Sequence, residues 1–216
     1  LTLADTTRVW QNIGRRDSAM YRFLGGKYIV AGKGGAPADG DIVPIFADDP
    51  AINIYLNRAA LPRVLFVSQA QIADSHQQAW ELIHNPDFNP ENTVILENTP
   101  DTPPIEPQNP KPETELAVLN YGAQTVEFGV KTDTAGYLVL SDAWYPGWRA
   151  TVDGESAPVL RANFAFRAVP VPAGEHRVRM EFSPLSWKIG LAISGLTVLL
   201  LAGIAYAMMR ESEIGD

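Results

Sequence analysis

Residues 176–209 read HRVRMEFSPLSWKIGLAISGLTVLLLAGIAYAMM, and this stretch contains two patterns that follow each other directly. In its first part, Val178, Met180 and Phe182 alternate with charged residues, which is the period of a half-buried β-strand. In its second part, the 21 residues of 189–209 carry no charge. At a rise of about 1.5 Å per residue, such a helix spans roughly 31 Å, the thickness of a bilayer core. The stretch predicts a strand that leads into a single C-terminal transmembrane helix over residues 187–210.

The residues that border the apolar run favour a membrane span over a buried core helix. Aromatic and cationic side chains, which are favoured at lipid headgroups, flank it at both ends: Trp187, Lys188, Tyr206 and Arg210. A core helix of this length would carry a polar face, whereas this one offers only Ser194, Thr197 and Tyr206. We therefore expect the lipid bilayer to be a partner of the chain and the cell membrane to be its location.

Residues 114–184 predict an antiparallel β-sandwich. About seven short apolar runs follow one another at close spacing, and several alternate strictly between apolar and polar residues. Asp153-Gly154 is typical of a two-residue hairpin turn, and residues 172–174 (Pro-Ala-Gly) indicate a second turn.

Residues 1–98 predict a small mixed α/β block. A strand over 63–67 is followed by a helical pattern over 68–84, whose start Asp74 or Ser75 would cap. Between the two blocks, residues 99–113 contain six prolines, which predict an extended Pro-rich linker. A proline-rich ligand for another domain is the alternative interpretation. The expected fold class of the whole chain is α+β.

Composition limits the classes of function. The chain has 216 residues and a formal net charge of −8, which argues against a nucleic-acid partner. It has no cysteine, which excludes thiolate sites, and only three histidines, which leave few side chains that could bind a metal ion. Neither Gly-x-Ser-x-Gly nor His-Glu-x-x-His occurs. We expect no catalytic residues, no cofactor and no metal in this chain.

Five short motifs occur in a fixed order: SDAWYPGW (141–148), VDG (152–154), NFAF (163–166), VPAGEH (171–176) and SP (183–184). This order resembles the C-terminal end of the YfhO-like bacterial membrane proteins, which are large polytopic proteins related to the GT-C glycosyltransferases. Residues 23–30, 61–67 and 87–97 resemble the α/β unit that precedes this end. The resemblance implies that the soluble part lies outside the cytoplasm, on the periplasmic side. It also implies that any transferase activity resides in membrane spans that this chain does not include, so we expect the chain itself not to be an enzyme.

Three aromatic residues of the first motif have two open interpretations. Trp144 and Trp148 flank a Tyr-Pro-Gly turn whose first residue is Tyr145. In the structural interpretation, the two tryptophans cover the end of the sandwich core. In the functional one, the three rings form a platform for a sugar or a lipid headgroup, because flat ring faces stack on apolar sugar faces.

Small residues in the apolar run predict helix packing. Gly190 and Ser194 are four residues apart, as are Gly203 and Ala207, so each pair lies on one helical face. Within lipid, helices associate through close packing of such residues. We expect these positions to contact other transmembrane helices of a membrane protein complex.

Two hypotheses about function remain. The first is a non-catalytic, membrane-anchored extracytoplasmic domain or accessory subunit that stabilises or organises a larger membrane assembly, for example an electron-transport complex. The alternative is the C-terminal domain of a GT-C-like membrane glycosyltransferase, which would position a lipid-linked sugar.

Overall fold

The structure is a computed structural model that describes residues 2–12, 18–35, 40–97 and 113–214. Residues 98–112, which include most of the predicted linker, lie outside the described residues. The helices are α1 (Thr2–Gln11), α2 (Ala19–Phe23), α3 (His76–Ile83) and α4 (Leu185–Ile214). The strands are β1 (Tyr28–Gly32), β2 (Ile42–Phe46), β3 (Ile52–Asn57), β4 (Val64–Val67), β5 (Gln69–Ala73), β6 (Thr93–Glu97), β7 (Thr114–Tyr121), β8 (Thr125–Thr132), β9 (Gly136–Ala143), β10 (Trp148–Val152), β11 (Glu155–Ala157), β12 (Leu160–Ala162), β13 (Phe166–Val171) and β14 (Gly174–Phe182).

Two sheets pack face to face as a sandwich. One has the strand order β4-β9-β13-β12-β6-β5 and the other the order β11-β10-β14-β8-β7. Apolar side chains of both sheets meet between them, among them Phe128 of β8 and Val178 and Met180 of β14. The alternation predicted for β14 is confirmed, because Val178 and Met180 are buried while Arg177 and Arg179 are exposed.

Helices α1, α2 and α3 form a third layer on the other face of the six-stranded sheet. Phe23 of α2 and Ile83 of α3 belong to the same buried cluster as Tyr137 and Phe166 of that sheet. The rings of Phe23 and Phe166 meet edge to face, with centroids 5.1 Å apart. The six-stranded sheet is therefore covered on both faces.

Strands from both sides of the proline-rich segment share the six-stranded sheet. Val64 of β4 pairs with Leu140 of β9, and Leu96 of β6 pairs with Ala162 of β12. The sandwich predicted over 114–184 thus takes three strands (β4, β5 and β6) from the block predicted over 1–98. The physical reason is that β4 is apolar on both faces, which suits a strand covered on two sides. The division into domains at residues 99–113 remains a prediction.

Residues 68–84, for which the sequence predicts a helical pattern, form a strand followed by a helix. Residues 69–73 form β5, which pairs in parallel with β6, so the helical pattern is wrong over these residues, and α3 begins at His76. Ile72 of β5 lies seven residues before Ala79, and it matched the helical spacing by chance. The predicted cap is confirmed at Ser75, whose hydroxyl accepts a hydrogen bond from the Gln78 amide at 3.1 Å.

A third, separate sheet has the strand order β1-β3-β2. Its small core consists of Ile29, Ile42 and Tyr55. The chain enters this sheet directly after α2 and leaves it directly before β4.

Helix α4 follows β14 after two residues. Its segment Leu185–Ile204 is long and apolar enough to cross a membrane, and none of it is buried inside the protein. The α+β fold class with a single C-terminal apolar helix is confirmed.

Candidate functional site

The turn between β9 and β10 is locked against the start of α4. Trp148, the first residue of β10, pairs with Phe182, the last residue of β14. The Ser183 amide donates to the Gly147 carbonyl at 2.8 Å. Gly147 has φ 113°, and a Cβ there would lie 2.9 Å from Pro184. Only glycine fits this close approach, and the turn therefore marks the end of the sandwich from which α4 departs, here called the helix-proximal end.

The three aromatic residues predicted as a platform lie in this turn but face different neighbours. The Trp148 ring stacks under the Arg167 guanidinium at 3.6 Å, and the Phe182 ring lies 5.4 Å away. The Trp144 ring has the Arg161 guanidinium over it at 4.8 Å, and its Nε1 donates to a backbone carbonyl. Tyr145 is 47% exposed. The platform remains a prediction, with Tyr145 as its most open member.

A buried carboxylate organises the same end of the sandwich. Asp142, near the end of β9, is 10% exposed at its side chain. Its Oδ1 accepts from Arg63 Nε at 2.6 Å, and its Oδ2 accepts from Arg167 at 2.6 Å and from the Tyr121 hydroxyl. We call Arg63, Tyr121, Asp142 and Arg167 the Asp142 cluster.

Protonation in the Asp142 cluster follows from burial and from the shared carboxylate. Burial, together with the hydrogen bond to Asp142, raises the pKa of Tyr121 to about 12, so the phenol stays a donor. Burial lowers the pKa of Arg167, and the charge of Asp142 opposes that change. Two guanidinium groups on one carboxylate leave the cluster with an excess positive charge.

A cleft of 1180 Å³ opens beside the Asp142 cluster. The charged residues on its walls are Lys27, Arg58, Arg63, Asp142 and Arg167. Four cations face one carboxylate, which is a formal excess of three positive charges. Arg167 is 3% exposed, and its Nε has no hydrogen-bond partner. The cleft is therefore suited to an anionic or hydroxyl-rich ligand rather than to a cation.

Asp142 lies within the motif of residues 141–148, whereas the other members of its cluster lie outside every site predicted from the sequence. Arg167 carries a signal that was available, since it is a lone cation inside the otherwise apolar run 166–171. Arg63 and Tyr121 carry none, because Arg63 reaches Asp142 through the pairing of β4 with β9, and Tyr121 reaches it from β7 of the other sheet.

A second charged group lies where α1, α3, β6 and β12 meet. His76 Nδ1 lies 2.9 Å from a Glu97 oxygen, and Arg161 lies 3.3 Å from Asp5 and 3.6 Å from Glu97. His76 Nε2 is 3.2 Å from Asp5 without hydrogen-bond geometry. The imidazole stacks on the buried Phe164 ring at 4.1 Å. We call Asp5, His76, Glu97 and Arg161 the His76 cluster. Among the described residues, no group of His, Cys, Asp and Glu is arranged to hold a metal ion.

The predicted helix-packing positions lie on the surface of α4. Gly190, Ser194 and Gly203 are exposed, and a Cβ added at either glycine would meet nothing within 4 Å. The side chain of Ala207 lies outside the described residues. Helix packing at these positions remains a prediction.

A known family matches the part of the chain that holds Asp142 and Arg167, but not the part that holds Lys27, Arg58 and Arg63. Residues 109–194 match the family model described as "Bacterial membrane protein YfhO". The match includes the aromatic turn, most of the sandwich and the start of α4, and it confirms the resemblance inferred from the sequence over these residues. Together with the apolar helix, it supports a membrane location. No curated protein and no solved structure matches the chain.

Proposed function

We propose that this chain is a non-catalytic, membrane-anchored extracytoplasmic domain of a glycosyltransferase-like membrane protein. Its cleft would hold an anionic ligand, such as the phosphate of a lipid-linked sugar, at the membrane surface. One observation carries the proposal: a positively charged cleft lies beside the first residues of the apolar helix.

The position of the cleft favours a ligand that is itself in the membrane. Trp148 lines the cleft and contacts Phe182, and α4 begins three residues later at Leu185. With α4 across a bilayer, the cleft lies at the depth of the lipid headgroups. A lipid-borne phosphate would then reach the cleft by lateral diffusion.

The charge of the cleft favours phosphate. Guanidinium groups bind phosphate oxygens through two parallel hydrogen bonds, and their charge is never lost at neutral pH. Lys27 and Arg58 are exposed and also line the cleft. They supply charge that no carboxylate of the cleft balances.

The arrangement supports binding rather than reaction. A general base needs an oxygen that is within hydrogen-bond reach of the substrate. Both oxygens of Asp142 already accept hydrogen bonds from Arg63, Arg167 and Tyr121. The carboxylate is thus occupied in holding the wall of the cleft.

Binding to the full chain in phosphatidylcholine nanodiscs tests the proposal. The probe is a short-chain polyprenyl-phosphate-linked hexose, and the same polyprenol without phosphate is the comparison ligand. The double variant Lys27→Gln/Arg58→Gln removes two cations without touching the Asp142 cluster. We expect it to weaken binding about tenfold, equivalent to about 1.4 kcal/mol.

The control for that experiment is Arg149→Gln, on the strand that lines the cleft but outside the cleft walls. It is exposed and should change the affinity less than twofold. Equal losses in both variants would indicate unspecific charge attraction. Wild-type affinity in the double variant would contradict the proposal.

The side of the membrane is testable in intact cells. The family resemblance supports an extracytoplasmic position of residues 1–188. Protease added to spheroplasts should then remove this part of the chain. Complete protection until the membrane is lysed would contradict the assignment.

The exposed small residues of α4 favour a second candidate function. An accessory subunit that organises a membrane assembly, such as an electron-transport complex, would use Gly190, Ser194 and Gly203 as close contacts. Gly190→Leu/Gly203→Leu should release such a subunit from its assembly in detergent, whereas Val198→Leu should not. Retention of the double variant at wild-type stoichiometry would contradict this candidate.

A further inference from the structure

The β1-β3-β2 sheet has one apolar face that the described part of the chain does not cover. Residues paired across strands point to the same face, and the register pairs Tyr28 with Leu56 and Val30 with Ile54. Phe46 also pairs with Ile54. The complete face consists of Tyr28, Val30, Val43, Phe46, Ile52, Ile54 and Leu56. None of these side chains is buried, and Val30 is 62% exposed.

The opposite face of the same sheet is apolar as well. It carries the small core of Ile29, Ile42 and Tyr55. A sheet with one face in water is polar on that face. Contiguous apolar side chains on an open face instead mark a surface that contacts another apolar body.

The root of the sheet lies at the helix-proximal end of the sandwich. Lys27 and Leu56, at the start of β1 and near the end of β3, line the same cleft as Tyr121 and Trp148. Trp148 contacts Phe182, after which α4 begins. The open face therefore starts beside the point at which the apolar surface of α4 starts.

We infer that this face rests on the lipid bilayer and forms a second membrane contact beside helix α4. Its composition fits the boundary between headgroups and acyl chains, where aromatic rings are enriched and lysine stems extend toward the headgroups. Lys27 is placed for this role, with its Nζ 5.8 Å from the Tyr28 ring centroid. Two contacts would also hold the cleft at a fixed orientation relative to the membrane.

Charge does not drive this contact. Asp48 and Asp49 lie in the turn between β2 and β3, and Asp49 accepts hydrogen bonds from the amides of Ala51 and Ile52. The turn thus bears two acids beside one cation, Lys33, whose Nζ donates to the Ala47 carbonyl, so its net charge does not attract anionic lipids. The contact should form on zwitterionic lipid and should persist at high salt.

The absence of cysteine from the chain allows a direct test with single labelled cysteines. Val30→Cys places a fluorophore on the open face. Ala173→Cys places it in the exposed turn at the other end of β14, roughly 30 Å from Phe182 at 3.3 Å per residue. Leu199→Cys, on α4, reports whether the helix is in the bilayer. The full-length variants are placed in phosphatidylcholine nanodiscs with or without spin-labelled lipid.

We expect spin-labelled lipid to quench the Val30 probe at least threefold more than the Ala173 probe, with the Leu199 probe quenched as well. Equal quenching at Val30 and Ala173, with Leu199 quenched, would overturn the inference and leave the helix span intact. A Val30 probe that is shielded from aqueous iodide but not quenched by lipid would show a protein occupant, and it would also overturn the inference. An unquenched Leu199 probe would contradict the span itself and the second contact with it. Ligand affinity of the cleft is measured separately, so the two accounts can fail independently.

Discussion

The Asp142 cluster and the His76 cluster both include strands of the six-stranded sheet and both pair carboxylates with arginine, but the ratio of carboxylates to guanidinium groups differs. At the first, Asp142 faces two guanidinium groups and a phenol. At the second, two carboxylates, Asp5 and Glu97, face one guanidinium and one imidazole. The Asp142 cluster keeps an excess of positive charge and opens into a cleft, whereas no residue of the His76 cluster lines that cleft.

The difference distinguishes a ligand site from a group of ion pairs that only stabilises the fold. The His76 cluster joins α1 and α3 to the sheet, and its ring packs on buried Phe164. His76 Nε2 and Arg161 Nε are also buried without hydrogen-bond partners, but no member of the His76 cluster lines the cleft. The Asp142 cluster holds one wall of a cleft, and Arg167 keeps one buried donor, Nε, without a partner.

The largest effect is expected when the carboxylate of the Asp142 cluster is removed. Asp142→Ala leaves Arg167 buried without a counter-charge, which should reduce the free energy of unfolding by about 3–5 kcal/mol. Thermal unfolding in detergent micelles measures the loss. Asp142→Asn, which keeps the shape and an acceptor oxygen, should lose less. Equal stability of Asp142→Ala and wild type would show that Arg167 is solvated by another route.

The two tryptophans should differ in how much their loss reduces the free energy of unfolding. Trp148 packs on Arg167 and Phe182 beside the sandwich core, so Trp148→Ala should cost about 3 kcal/mol. Trp144 packs on Arg161 outside that core, and Trp144→Ala should cost about half as much. Chemical denaturation of both variants checks the order. A larger loss of stability in Trp144→Ala than in Trp148→Ala would contradict the placement of Trp148, rather than Trp144, beside the sandwich core.

Removal of a cation from the His76 cluster should affect stability but not ligand binding. Arg161 is 20% exposed, and its ion pairs with Asp5 and Glu97 are partly screened by water. We expect Arg161→Gln to cost about 1 kcal/mol and to leave the affinity for the polyprenyl-phosphate-linked hexose unchanged. If affinity fell as it does in Lys27→Gln/Arg58→Gln, the distinction between the clusters would be lost.

The smallest effect concerns the phenol of Tyr121. Its folded-state pKa of about 12 lies above the ordinary value of 10.0. Its contribution to stability is therefore complete below pH 10 and is lost as the pH rises from 10 toward 12. Tyr121→Phe removes this dependence, so the unfolding temperature of wild type should fall more steeply over that interval than that of the variant. Parallel curves would show that the hydroxyl does not donate to Asp142.

Local sequence patterns predicted the strands, whereas the contacts of the site depend on which distant strands come together. Val178 and Met180 were correctly placed inside the sandwich because a strand has a period of two. The partnership of β4 with β9 has no local signal, since it depends on which strand edges meet after collapse. The aromatic turn was recognised because its signal is local. The ring contacts of Trp144 and Trp148 and the ion pair of Arg63 with Asp142 were not recognised, because they depend on distant parts of the chain.

Photo-crosslinking in native membranes tests the central claim most directly. A benzoylphenylalanine at Ala123, which is exposed on the wall of the cleft, is compared with one at Ala173 at the opposite end of the sandwich. Mass spectrometry of the full-length protein after irradiation identifies the adducts. A binding site for a lipid-borne phosphate predicts a phosphate-bearing lipid attached at position 123 and none at position 173. The absence of a phosphate-bearing adduct at position 123, or the same adduct at both positions, would contradict it.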